Sequence, residues 1–131
     1  VREEAKDYAA QVGLAEKINH KAGALSGGQM RLLEIIRALA FGAELFLLDE
    51  PTAGVSPKMK EEVALLISRV QSLGKTTLII EHDINFVQSF SKRVIVLDQG
   101  RVILEGTPEE VRRNELLQEI YFGKTAQQAT M

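Results

Sequence analysis

The apolar run Leu45, Phe46, Leu47, Leu48 ends abruptly at two acids, Asp49 and Glu50. A strand with one wet face alternates polar and apolar residues, whereas a continuous run reads as a strand buried on both faces, as in parallel sheets. Parallel neighbours need crossover connections, usually helices, and the flanking sequence supplies them. From Gln29 to Phe41 the residues Leu32, Leu33, Ile36, Leu39 and Ala40 share one helical face, with Gln29, Arg31, Glu34 and Arg37 elsewhere on the surface. Beyond the acids, Ser56 caps a helix with Pro57 at its first position. Its apolar face is Met59, Val63, Leu66, Ile67, Val70 and Leu73, and Gly74 stops it. Thr76 to Ile80, β-branched and apolar, reads as another buried strand, and Asp83 can cap a short helix through Phe90. Strand, helix, strand, helix in that order predicts an α/β fold, with parallel strands flanked by helices.

The ends add smaller elements. Ala5, Tyr8, Ala9 and Val12 repeat at helical spacing until Gly13 closes the pattern. Arg93 to Leu97 and Arg101 to Leu104 flank Asp98, Gln99 and Gly100, the spacing of a tight antiparallel hairpin. Thr107, Pro108 and Glu110 form a capping box, so terminal helices are expected to about Phe122, with a polar, frayed tail from Lys124. The expected organisation is a helical region over 1–43, core strands over 44–106, and C-terminal helices and tail over 107–131.

Composition narrows the functional classes. At 131 residues the chain is the size of one domain, and 45% hydrophobic with 26% charged residues argues against disorder or a fibrous design. A net charge of -2 from mixed signs leaves no electrostatic footprint for wrapping nucleic acid. The most apolar stretch, Ala38 to Leu48, is broken by Gly42 and Glu44 and falls short of the roughly 20 residues that span a bilayer. No membrane insertion and no secretory signal are expected. The absence of cysteine removes disulfides and thiolate metal sites and fits a reducing compartment.

Two motifs carry chemistry. Leu25, Ser26, Gly27, Gly28 and Gln29 lead straight into a helix, whose first N–H groups favour anions. Taken alone, Ser-Gly-Gly is equally a glycine-rich turn with a serine cap. Asp49 and Glu50 stand at the C-terminal end of a predicted strand, where open α/β sheets bind ligands. A first carboxylate there suits Mg²⁺ and the next can orient or deprotonate a water, although two acids can also be a solvated loop. His82 follows the second strand at the same end of the sheet; His20, without such context, reads as a surface residue. Glu81, His82 and Asp83 do not read as a metal site, because strand neighbours point to opposite faces.

In wider context these strings resemble the ABC ATPase family. Residues 25–29 match its signature loop, Leu45 to Asp49 its Walker B motif and Glu50 its catalytic glutamate. Pro51 to Ser56 continue as its D-loop, with Ser56 where many members carry aspartate, and Ile79 to Asp83 surround its switch histidine, His82. The resemblance implies a partial P-loop NTPase core. It gives Ser26, Gly27, Gly28 and Gln29 contact with ATP held by an opposing subunit, Asp49 support of Mg²⁺, and Glu50 and His82 the hydrolytic site. It also implies a second ATP-binding subunit and membrane-spanning transporter subunits as partners, and a cytoplasmic position on the inner face of the cell membrane.

No P-loop is present: Gly74-Lys75-Thr76 and Gly123-Lys124-Thr125 have Arg69 and Gln118 where its first glycine belongs. The family's P-loop normally precedes the signature, so the resemblance covers the later half of a subunit, and the chain alone is expected to be inactive. The Gly100 to Gly106 hairpin, Thr107 to Val111, and the closing Tyr121, Phe122, Gly123 look like the ends of branched-chain amino acid importer subunits. Lipopolysaccharide-export and urea-import subunits look similar there. An ABC ATPase of translation or DNA repair, and a truncated chain without enzymatic activity, stand as alternatives.

Overall fold

The computed structural model describes residues 2–118. It divides into two compact units, Val1–Asp83 and Ile84–Met131.

In the first unit, helix α1 (Arg2–Gln11) is followed by two single 3₁₀ turns, helix α2 (Gly27–Ala40), strand β1 (Leu45–Asp49), helix α3 (Pro57–Ser72) and strand β2 (Thr76–Ile80). Serine hydroxyls start both long helices: Ser26 Oγ accepts from the Gln29 N–H, and Ser56 Oγ from the Met59 N–H, each at 3.3 Å. Gly74 ends α3 with φ of 77°, a left-handed stop that glycine adopts freely. Gly74-Lys75-Thr76 is therefore a turn from helix into strand, the reverse of the order a phosphate-binding loop requires. The core lies between α2 and α3, where Leu32, Ile35, Ile36 and Leu39 meet Val63, Leu66, Ile67 and Val70, all buried. Ile67 and Val63 are fully enclosed, and cutting Ile67 to alanine would cost about 2–5 kcal/mol.

Strands β1 and β2 pair in parallel, with Leu45 opposite Thr76, Leu47 opposite Leu78 and Asp49 opposite Ile80. The pairing agrees with the α/β expectation, but the burial of these strands corrects the sequence reading. Phe46 is buried, whereas Leu45, Leu47, Leu78 and Ile80 are 55%, 67%, 57% and 61% exposed. Both strands are thus covered on one face. The cause is layering: α3 packs on β2, with Gln71 Nε2 donating to Thr77 Oγ1 at 2.9 Å, and so covers the face that Thr77 shares with Phe46. The opposite face, carrying the leucines, Ile80 and Asp49, is left largely open.

The second unit holds the short helix α4 (Ile84–Gln88), the antiparallel hairpin β3 (Val94–Asp98) and β4 (Arg101–Gly106), and helices α5 (Pro108–Arg113) and α6 (Glu115–Gln118). Gln99 and Gly100, with φ of 46° and 76°, form the two-residue turn whose twist suits a hairpin. Val96 pairs with Leu104 but Leu97 with Val102, so Ile103 is the extra residue of a bulge that alternation alone does not foretell. Phe86, Val111 and Leu117 are buried, and Phe86 meets Phe90 edge to face with centroids 4.9 Å apart. The predicted capping box is present, since Glu110 Oε2 accepts from the Thr107 N–H at 2.7 Å while Thr107 Oγ1 accepts from the Glu110 N–H at 3.3 Å. The expected helix end at Phe122 and the tail from Lys124 lie outside the described residues. Among those described, no helix is long and apolar enough to cross a membrane.

Candidate functional site

The carboxyl end of the parallel pair brings Glu50 and His82 together. Strand β1 ends at Asp49, and Glu50 leaves it with φ of 43°, a left-handed conformation that non-glycine residues seldom adopt. The backbone on both sides holds it there: the Glu50 N–H donates to the Ile80 carbonyl at 2.9 Å, and the Glu50 carbonyl accepts from the Ala53 N–H at 3.0 Å. Its side chain turns toward the end of β2, where His82 Nδ1 stands 3.5 Å from Glu50 Oε1. The Glu50 and His82 side chains are 51% and 73% exposed, so the pair faces open solvent.

Asp49 lies on the open face of the sheet, level with Ile80 in register. Its exposed carboxylate sits one residue before Glu50 on a strand where side chains alternate, so the two acids begin in different directions. Among the described residues no cluster of three or more acids or histidines forms a metal cage.

The signature-like segment builds a separate, self-contained helix start. Gln29 Oε1 accepts from the Ser26 N–H at 3.1 Å and from Lys17 Nζ at 3.0 Å, completing a reciprocal capping box. Its two glycines differ. A Cβ on Gly27 would meet nothing within 4 Å, whereas one on Gly28 would overlap Met59 Cγ of α3. Gly27 therefore leaves open the approach to the first turn of α2, and Gly28 lets α3 lie close against it. No hydrogen bond of Ser26 or Gln29 among the described residues reaches Glu50 or His82, so this chain presents two sites. His20 is exposed.

Sequence reasoning passed over several groups that shape these sites. The Glu81 side chain is fully buried beside exposed His82 and accepts hydrogen bonds from Thr52. Asp83, singled out as a helix cap, forms an ion pair with Lys60 of α3. Strand parity could have found Glu81, since Thr77, Ile79 and Glu81 share the covered side of β2; nothing local marks the Lys60 partner.

Residues 1–53 match the family model described as ABC transporter. The high-affinity branched-chain amino acid transport ATP-binding protein BraF of Pseudomonas aeruginosa is 40% identical, over 92% of this chain and 49% of its own length. The glutamine transport ATP-binding protein GlnQ of Escherichia coli is 36% identical, over 84% of this chain and 46% of its own. The crystal structure of the ADP conformation of MJ1267, an ATP-binding cassette of an ABC transporter, superposes with a TM-score of 0.79 at 34% identity, covering 92% of this chain and 49% of that one. In sequence and fold the chain is therefore related to the ATP-binding cassettes of ABC transporters. Within that class it is similar to amino acid transport ATP-binding proteins, and it spans about half the length of the curated relatives it matches.

Proposed function

We propose that this chain provides the hydrolytic edge and the signature loop of an ATPase that powers transport, with amino acid import as the task. The observation that carries the reading is the Glu50–His82 pair, 3.5 Å apart at the carboxyl end of two parallel strands and directly after Asp49. Open α/β sheets place their ligands at that edge. Glu50, on a turn whose backbone is pinned at both sides, is positioned to orient and polarise an attacking water. In this reading His82, whose Nδ1 lies 3.5 Å from Glu50 Oε1, contacts the terminal phosphate.

Asp49 has the donor chemistry that Mg²⁺ takes, one exposed carboxylate with the remaining positions left to water and phosphate oxygens. Bound there, Mg²⁺ would neutralise charge on the phosphates. In this reading Ser26 and Gln29, with the N–H groups beyond Gly27, serve nucleotide held by a second ATP-binding subunit, because no bond among the described residues ties them to this chain's own Glu50 edge. Membrane-spanning subunits would turn closure of that dimer into movement of substrate, with the ATPase on the cytoplasmic side of the membrane and no segment inserted.

Glu50→Gln tests the assignment in a complete cassette containing this sequence. ATP affinity should stay within about twofold while turnover falls by roughly 10²-fold or more, the loss that follows removal of a positioned catalytic group. Loss of affinity with turnover preserved would make Glu50 a binding residue instead. The 131-residue chain by itself should hydrolyse no ATP, because it has no P-loop to supply the lysine and backbone donors that hold the phosphates. Steady ATPase activity in this chain, abolished by Glu50→Gln, would contradict that expectation.

A further inference from the structure

The side chain of Glu81 is 0% exposed although that of its neighbour His82 is 73% exposed. A carboxylate withdrawn from water is costly unless its oxygens are hydrogen-bonded. Glu81 meets that condition through backbone and hydroxyl donors: Oε1 accepts from the Thr52 N–H at 3.1 Å and from the Thr52 hydroxyl, and Oε2 accepts from the His82 N–H at 3.2 Å. His82 Nδ1 lies 3.8 Å from the same Oε2. Thr52 is itself buried, two residues beyond Glu50. The strained turn at Glu50 is thus held on one side by the Ile80 carbonyl and beyond its other side by Glu81.

We infer that Glu81 is a positioning residue for the hydrolytic site: its buried carboxylate ties the turn after β1 to the end of β2 and so sets the approach of Glu50 to His82. The inference rests on the ATPase reading of that site. Glu81 points inward, away from the solvent that Glu50 and His82 face, and acts through them. A carboxylate is needed because every one of these bonds is donated to it. A glutamine in its place keeps one acceptor oxygen and turns an amide donor toward another N–H.

In a complete cassette containing this sequence, Glu81→Gln and Thr52→Val should each lower kcat by about tenfold or more with KM for ATP within twofold, since small misplacements of reacting groups are amplified in rate. Thr52→Ser keeps the hydroxyl and the N–H and should retain kcat within twofold. A double variant, Glu81→Gln with Thr52→Val, should fall little further than the worse single variant, because both break the same clamp. Amide hydrogen exchange supplies a readout apart from activity: Glu81→Gln should speed exchange at Thr52 and His82 while Val63 and Ile67 in α3 keep their protection.

Wild-type kcat in Glu81→Gln, a loss confined to KM, or exchange that rises equally in α3 would overturn the positioning role. If Glu81→Gln does not fold, the contrast between Thr52→Val and Thr52→Ser decides, and equal kcat in those two variants refutes the clamp. Glu50→Gln separates this failure from that of the underlying reading. Turnover lost in Glu50→Gln but kept in Glu81→Gln removes the clamp alone, whereas turnover kept in Glu50→Gln removes the hydrolytic site itself.

Discussion

Gly27 and Gly28 are adjacent, alike in sequence, and different in what they permit. A side chain at Gly28 would run into Met59 of α3, while one at Gly27 would enter open space. Gly28→Ala should therefore destabilise the chain by about 1–3 kcal/mol, the usual cost of overpacking a tight contact, read as a lower urea midpoint. Met59→Ala in the same chain should recover much of that loss, because the two changes share one contact and cannot add. Gly27→Ala should leave the midpoint within about 1 kcal/mol of the parent, since alanine suits a helix and nothing stands in its way. Equal effects of the two alanines would mean that Met59 does not pack against α2 in solution. The sequence motif treats the two glycines alike, but the distinction between them depends on a residue 31 positions away from Gly28 and so is written only in the fold.

Elements were legible wherever the chain carries its own local punctuation. Ser26, Ser56 and Thr107 start helices, Pro57 and Pro108 occupy first turns, and Gly13, Gly74 and Gly100 take positive φ where a turn or helix end requires it. What was misread in β1 and β2 is burial. An apolar run reports that a strand is suited to cover on both faces, and the described residues furnish cover to one. Strand parity puts Glu81, one residue beyond β2, on the covered side, but its partner Thr52 comes from the turn after β1, which no local pattern marks. The capping box at the start of α5 also makes a pH prediction. Hydrogen bonds from the Thr107 backbone and hydroxyl hold the Glu110 carboxyl below its ordinary value, near 4.5. The folded value is the lower one, so the stabilisation is present above about pH 4.5 and is lost as pH falls through the folded value. Urea midpoints measured at pH 6 and pH 3.5 should differ less in Glu110→Gln than in the parent, and an undiminished difference would assign the acid sensitivity to other carboxylates.

At the scale of the molecule, no hydrogen bond or ion pair among the described residues joins the two candidate sites. The Ser26 loop is closed on itself by Gln29 and Lys17, and Glu50 with His82 stands at the sheet edge with no described bond between the groups. A loop that is fully capped yet open above Gly27 is suited to receive phosphate from outside its own subunit. Ser26→Arg puts a bulky cation into that opening and removes the hydroxyl that caps α2, while touching nothing at the Glu50 edge. In a complete cassette, monomer affinity for ATP should change by less than about twofold, since the subunit's own phosphate-binding groups supply most of that affinity. ATP-dependent dimerisation and hydrolysis should both fail. Mixing this variant with a subunit that has an intact signature loop but lacks its P-loop lysine should restore one composite site, because each partner provides the half that the other lacks. ATPase activity in the mixture should then exceed that of either variant alone, approaching at most the output of one site in those dimers that are mixed. A mixture as inactive as its components, with heterodimers demonstrated by differential tagging, would show that the Ser26 loop does not serve nucleotide across the dimer.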